Sequence, residues 1–128
     1  KHREAFRPFA PACLEEKVKD YFVEGRKLPF MVFVLSAKKE VASKVPAVVH
    51  TDGTSRVQTV NKTQNPRFYS LISAFEKKTG IPMLLNTSFN DSGEPIVNTP
   101  AEALRTFKAT NLDCLVLGSY LVLRKEIL

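Results

Sequence analysis

Tryptophan is missing from this 128-residue chain, and cysteine, methionine and histidine occur only twice each. Cys13 and Cys114 are too far apart for a metal-ligand spacing, and His2 and His50 do not complete one. No zinc or iron site is therefore expected within the chain, and its metal set is expected to be empty. Glycine occurs five times, and none of these stands in a GxGxxG, P-loop or GxSxG motif. No apolar run approaches the ~20 residues of a membrane span. No secretory leader opens the sequence, so the expected compartment is a reducing cytoplasm.

What is present is ordinary in amount and uneven in placement. Hydrophobic residues make up 44% and charged residues 25%, the balance of a globular protein with a core. The length suits a single domain over residues 1–128. The first residue is Lys1, not Met, so the chain is expected to be part of a longer protein. The net charge is +6, and the excess lies forward: +2 over residues 1–27, +4 over 28–75 and zero over 76–128. A basic first half suggests an anionic ligand.

Proline and hydrophobic periodicity divide the chain. Arg7-Pro8-Phe9-Ala10-Pro11 cannot be helical. Leu14–Val23 reads as a short helix, and Phe30–Ser36 (FMVFVLS) as a buried strand. Lys38–Lys44 reads as a charged loop. Ala47–His50 and Ser55–Val60 read as the arms of a hairpin about Asp52-Gly53. Asn65-Pro66 opens a helix with Phe68, Leu71, Ile72 and Phe75 in register, and Gly80 ends it. Pro82–Asn86 reads as a buried strand. Thr99-Pro100-Ala101-Glu102 has the form of a capping box opening a last helix, with Leu104 and Phe107 toward the core. Cys114–Gly118 and Leu121–Arg124 read as strands. The fold class expected is α/β (α+β), a twisted mixed β-sheet with helices packed on it.

Three groups of side chains could carry chemistry. Lys1, Arg3 and Arg7 share one parity, and on an extended stretch they would form a phosphate clamp. A solvated basic terminus is the plainer reading, weighed against by the interleaved Phe6 and Phe9. Asn86, Thr87, Ser88 and Asn90 follow an apolar strand, and strand ends are where ligands bind. Such residues also make ordinary turns. His50, Asp52, Thr54 and Arg56 flank the Asp-Gly turn: Arg56 could contact phosphate, and Asp52 could orient His50 or hold a magnesium-bound nucleotide. Cys13 has no evident base beside it and reads as a small buried residue.

The blocks KHREAFRPFAP (Lys1–Pro11), HTDGTSRVQTV (His50–Val60) and TGIPMLLNTSFND–GEPIV (Thr79–Val97), with the tail Thr99–Gly118, together resemble the C-terminal domain of the carbamoyltransferase family. That family includes the NodU-type nodulation proteins and the O-carbamoyltransferases of antibiotic biosynthesis. The resemblance covers nearly the whole chain. It implies a YrdC-like fold, with Lys1-His2-Arg3 matching the K-x-R pair of its nucleotide site and Ser88-Phe89-Asn90 the S-x-N pair. It implies formation of carbamoyl adenylate from ATP, with Mg2+, and carbamoyl phosphate. A separate N-terminal domain, holding iron, would pass the carbamoyl group to a hydroxyl acceptor. On this resemblance Lys1, Arg3, Arg56, Ser88 and Asn90 are the expected catalytic residues. Lys1, Arg3, Arg7, Asn86, Thr87, Ser88 and Asn90 are the expected nucleotide-binding residues.

The expected partners are small-molecule phosphates and the chain's own N-terminal domain, with no membrane and no nucleic acid. Alone, the chain would be the activating half of an enzyme. Two other readings compete: a basic RNA-binding module related to tRNA modification, and a non-catalytic docking domain.

Overall fold

The computed structural model describes residues 7–124. They fall into two compact units, divided between Thr87 and Ser88. Both mix helices with small sheets, so the chain is of the α/β class.

The first unit is organised around strand β1, Ala10–Leu14. A single 3-10 turn (Glu15–Lys17) and the short helix α1, Val18–Tyr21, follow it. Leu14 thus ends a strand; the helix expected from Leu14 begins only after it. Strand β2 is Leu35–Ser36 and helix α2 is Lys39–Ala42, inside the stretch expected to be a loop. A 3-10 turn at Pro46–Val48 leads to β3, Thr54–Ser55, and β4, Gln58–Val60. Helix α3 is Pro66–Thr79 and β5 is Met83–Asn86.

The main sheet has the order β4-β1-β5. β1 runs parallel to β4 (Ala12 beside Gln58, Leu14 beside Val60) and antiparallel to β5 (Ala10 beside Asn86, Cys13 beside Met83). The sheet is mixed, as expected. Pro11 is tolerated in this central strand because β4 pairs only with residues 12–14. Proline's missing donor falls where the strand has one neighbour. Alternation along β1 then sends side chains to two cores. Cys13 joins Val18, Phe22, Leu35, Val57 and Met83 on one face. Ala12 and Leu14 join Val60 and Ile72, beneath α3, on the other.

α3 forms as the sequence predicts. The Asn65 side chain accepts a hydrogen bond from the Phe68 amide at 3.3 Å, Pro66 takes the first turn, and Gly80 ends the helix at φ 76°. Its buried face is narrower than expected: Ile72 is fully buried, but Leu71 is exposed. Lys17–Glu76 (3.3 Å) and Tyr69–Glu16 (2.5 Å) tie α3 to the turn after β1.

Two further expectations are corrected. The Asp-Gly turn forms, with the Gly53 amide on the His50 carbonyl at 2.9 Å. Its flanking runs do not pair with each other, however: β3 pairs with β2. The fully buried strand expected at Phe30–Ser36 exists only as Leu35–Ser36. Phe30, Val32, Phe33 and Val34 are exposed instead.

The second unit spans residues 88–124 in the described part. Helix α4, Pro100–Ala109, opens with the expected capping box: Thr99 Oγ1 accepts from the Glu102 amide, and the Glu102 carboxylate from the Thr99 amide at 3.0 Å. The backbone amides of Asn98 and Thr99 hold the Glu102 carboxyl below its ordinary range. Strands β6, Cys114–Leu117, and β7, Tyr120–Leu123, form a tight hairpin turning at Gly118, φ 62°. Ala103, Phe107 and Leu115 make the core, joined by Phe89 and Val97. Thr106 is buried on this face, whereas Leu104, expected toward the core with Phe107, is exposed. Arg124 lies 5.5 Å over the Phe107 ring and donates to the carbonyls of Leu112, Phe107 and Thr110, closing the end of α4.

Candidate functional site

In the first unit Asn86 and Gln58 meet at the end of the mixed sheet. Asn86 ends β5 half-buried, and its Nδ2 donates to Gln58 Oε1 on β4 at 2.6 Å. The same nitrogen lies 3.3 Å from the Met31 sulfur. Gln58 Nε2 donates to the Pro29 carbonyl at 3.2 Å. Asn86 is thus a fixed part of a polar seam across two strands, and Thr87, exposed, follows it. A shallow open cavity of about 290 Å³ lies beside Gln58, walled by Pro29, Phe30, Asn61 and Gln64 among others.

Arg56 stands between β3 and β4. Its neighbours Ser55 and Val57 are fully buried, and strand parity sends Arg56 outward. Ser55 is satisfied by the Val48 carbonyl at 2.6 Å. The turn ahead of it is tightly bonded. Thr54 donates to Asp52 Oδ1 from its hydroxyl at 2.7 Å and from its amide at 2.9 Å, and these bonds hold the Asp52 carboxyl below its usual range. His50 Nδ1 lies 3.0 Å from the same Thr54 hydroxyl. An ionised carboxylate can only accept, so the hydroxyl proton belongs to Asp52. Nδ1 must then be the donor to Thr54, which leaves Nε2 of a neutral His50 as an acceptor. Asp52 thus orients His50 through Thr54.

In the second unit the polar loop is built around an apolar anchor. Phe89 packs on the Ala103–Phe107–Leu115 core, and its carbonyl accepts the Val97 amide at 2.9 Å. Ser88 Oγ donates to Asn90 Oδ1 at 2.5 Å, and Asn90 Nδ2 donates to the Glu94 carbonyl at 2.7 Å. Asp91 caps the following turn, its side chain accepting from the Ser92 amide at 2.8 Å. Two small polar side chains are therefore tied to their own loop by these bonds.

Arg7 is exposed, at the start of the described residues. Lys1 and Arg3 lie outside the described residues, and so does the Arg/Phe alternation at positions 1–6. Arg7, Arg56, Asn86 and Thr87 belong to the first unit, and Ser88 and Asn90 to the second. Sequence reasoning missed Gln58 and the structural use of Glu94. Gln58 had a signal: Arg56-Val57-Gln58 places two polar side chains on the face opposite a buried valine. Glu94 acts through its backbone, which no side-chain pattern announces.

Cys13 is buried, as expected, and burial, with nearby Glu16, Glu76 and Asp20, pushes its thiol up to about 12. A thiol so strongly held in its neutral form is not a nucleophile. Among the described residues no group of three or more His, Cys, Asp or Glu is placed to hold a metal, and no helix is long and apolar enough to cross a membrane.

Residues 1–124 match the family described as Carbamoyltransferase C-terminus. The chain belongs to this family. It is 46% identical over 128 residues to the nodulation protein NolO of Bradyrhizobium diazoefficiens, covering 98% of this chain and 23% of that protein. It is also 46% identical to the nodulation protein NolNO of Sinorhizobium fredii, covering 98% of this chain and 19% of that protein. An uncharacterized protein of Methanocaldococcus jannaschii is 40% identical over 120 residues, covering 94% of this chain and 23% of its own length. The chain therefore spans about a fifth to a quarter of the curated relatives it matches, and it corresponds to a C-terminal domain of the carbamoyltransferase family.

Proposed function

We propose that this domain binds ATP and carbamoyl phosphate and forms carbamoyl adenylate, for transfer to a hydroxyl acceptor by an N-terminal domain. The observation that carries this reading is the Ser88-Phe89-Asn90 loop. Its apolar residue, half-buried, packs against a core and its two polar side chains are bonded in place, within a chain of the carbamoyltransferase family.

The reaction is phosphoryl-centred. Water cleaves the P–O bond of carbamoyl phosphate, giving carbamate and inorganic phosphate. A carbamate oxygen then attacks the α-phosphorus of ATP, the bond to the bridging oxygen breaks, and pyrophosphate leaves. Charge grows on the non-bridging oxygens, so catalysis calls for positioned cations and donors more than for a strong base. Lys1, Arg3 and Arg7 neutralise phosphates in this scheme. Arg56 contacts carbamoyl phosphate or the leaving group. Ser88 and Asn90 bond phosphate or carbamoyl oxygens, with Asn86 and Thr87 in support. Mg2+ enters with the nucleotide, and iron belongs to the N-terminal domain.

Thermal unfolding with ligands tests the reading. Saturation at a hundredfold excess over Kd stabilises the bound state by about 2.7 kcal/mol, which appears as a raised Tm. Mg-ATP and carbamoyl phosphate are expected to raise it. A Tm moved by neither, but raised by a short RNA with a steep salt dependence, would replace this reading with a nucleic-acid module.

A further inference from the structure

Residues 30–34, Phe-Met-Val-Phe-Val, are apolar without a break, and no charge occurs from Leu28 to Ser36. Burial of such a run is the rule. Here Phe30 is 80% exposed, Val32 69%, Phe33 57% and Val34 53%. Single exposed apolar side chains are ordinary on a protein surface, but a contiguous patch marks an interaction site.

The segment is not slack. At one end the Leu28 amide donates to Thr59 Oγ1 at 2.8 Å, and the Thr59 amide to the Leu28 carbonyl at 3.0 Å. Gln58 holds the Pro29 carbonyl, and Asn86 reaches the Met31 sulfur. At the other end Leu35 is buried and pairs with Ser55. Met31 takes φ 57°, a left-handed conformation that L residues with a side chain seldom adopt. Backbone held against its preference between two fixed ends displays its side chains outward, a surface already organised for a partner.

The chemistry of the patch selects the partner. With no cation in residues 28–36 it does not suit a nucleic acid or an anionic lipid surface. It suits an apolar protein surface. The relatives supply a candidate of the right kind, because more than three quarters of NolO and NolNO lies outside the region this chain matches. We propose that residues 30–34 are the face on which the N-terminal portion of the family polypeptide docks. The inference rests on the reading of this chain as the C-terminal domain of a longer carbamoyltransferase, but not on its nucleotide chemistry. Because Asn86 and Gln58 anchor the same segment, the docked portion would come to lie beside the polar seam at the end of β4 and β5.

Cysteine labelling tests this in the protein expressed from its complete reading frame. Cys114, which is exposed, and any cysteine of the N-terminal portion that labels in the parent protein are replaced by Ser, while Cys13 is buried. Val32→Cys or Phe33→Cys is then labelled with a maleimide and compared with Lys39→Cys, an exposed control. The expected result is labelling at positions 32 and 33 at least tenfold slower than at the control, independent of protein concentration. Labelling as fast as the control overturns the proposal. Protection that grows with protein concentration also overturns it, by assigning the face to a second copy. Nucleotide chemistry is read separately, by ATP–pyrophosphate exchange: protection without exchange supports the docking face and removes the nucleotide reading, and exchange without protection does the reverse.

Discussion

A single hydroxyl bonds two titratable side chains in this chain. Thr54 gives its proton to Asp52 and takes one from His50. Two consequences can be measured. The imidazole of neutral His50 should carry its proton on Nδ1, seen in its nitrogen chemical shifts, and Thr54→Val should abolish that preference. Asp52 should titrate below the ordinary aspartate range, and Thr54→Val should move its midpoint upward. Since its folded pKa is depressed, Asp52 favours the folded state above the unfolded pKa, and that contribution is lost as pH falls through the folded value.

Cys13 behaves in the opposite sense. Its folded pKa is raised from 9.0 to about 12. The folded state is therefore undisturbed below pH 9, and loses ground above it as the unfolded chain ionises. At pH 10.5 the penalty is about 2 kcal/mol. Stability measured from pH 8 to 10.5 should fall less steeply in Cys13→Ala than in the native chain, although the variant is less stable at neutral pH. In the native protein a thiol reagent should modify Cys114 and spare Cys13.

At the scale of elements, helix ends were the most legible part of the sequence. Asn65-Pro66 and Thr99-Pro100-Ala101-Glu102 state their caps in side chains that act within one turn, so local chemistry suffices. Thr99→Ala should cost about 1 kcal/mol in denaturant unfolding, and Thr99→Ser much less. Ile72→Ala, which empties the contact of α3 with the sheet, should cost about 3 kcal/mol.

Strands were less legible, because their burial depends on pairing with distant segments. Phe30–Val34 has the composition of a buried strand and has no pairing strand among the described residues, whereas Ala10–Leu14, with its proline, is the central strand. The site shows the same division. Ser88, Asn90 and Asn86 stand out in the sequence as small polar residues at the end of an apolar strand, and each is bonded in place. The bond of Gln58 to Asn86 and the use of the Glu94 carbonyl become visible only in three dimensions.

For the molecule as a whole, the chain belongs to the carbamoyltransferase C-terminus family and carries its positive charge forward, which suits the small-phosphate ligand proposed above. The most direct measurement is carbamoyl-phosphate-dependent exchange of pyrophosphate into ATP by the protein expressed from its complete reading frame. Exchange is expected, it should vanish without carbamoyl phosphate, and it should fall about a hundredfold or more in Arg3→Ala, Arg56→Ala, Ser88→Ala or Asn90→Ala. Absence of exchange in the native protein, or exchange left unchanged by all four substitutions, would contradict the assignment of carbamoyl adenylate formation to this domain.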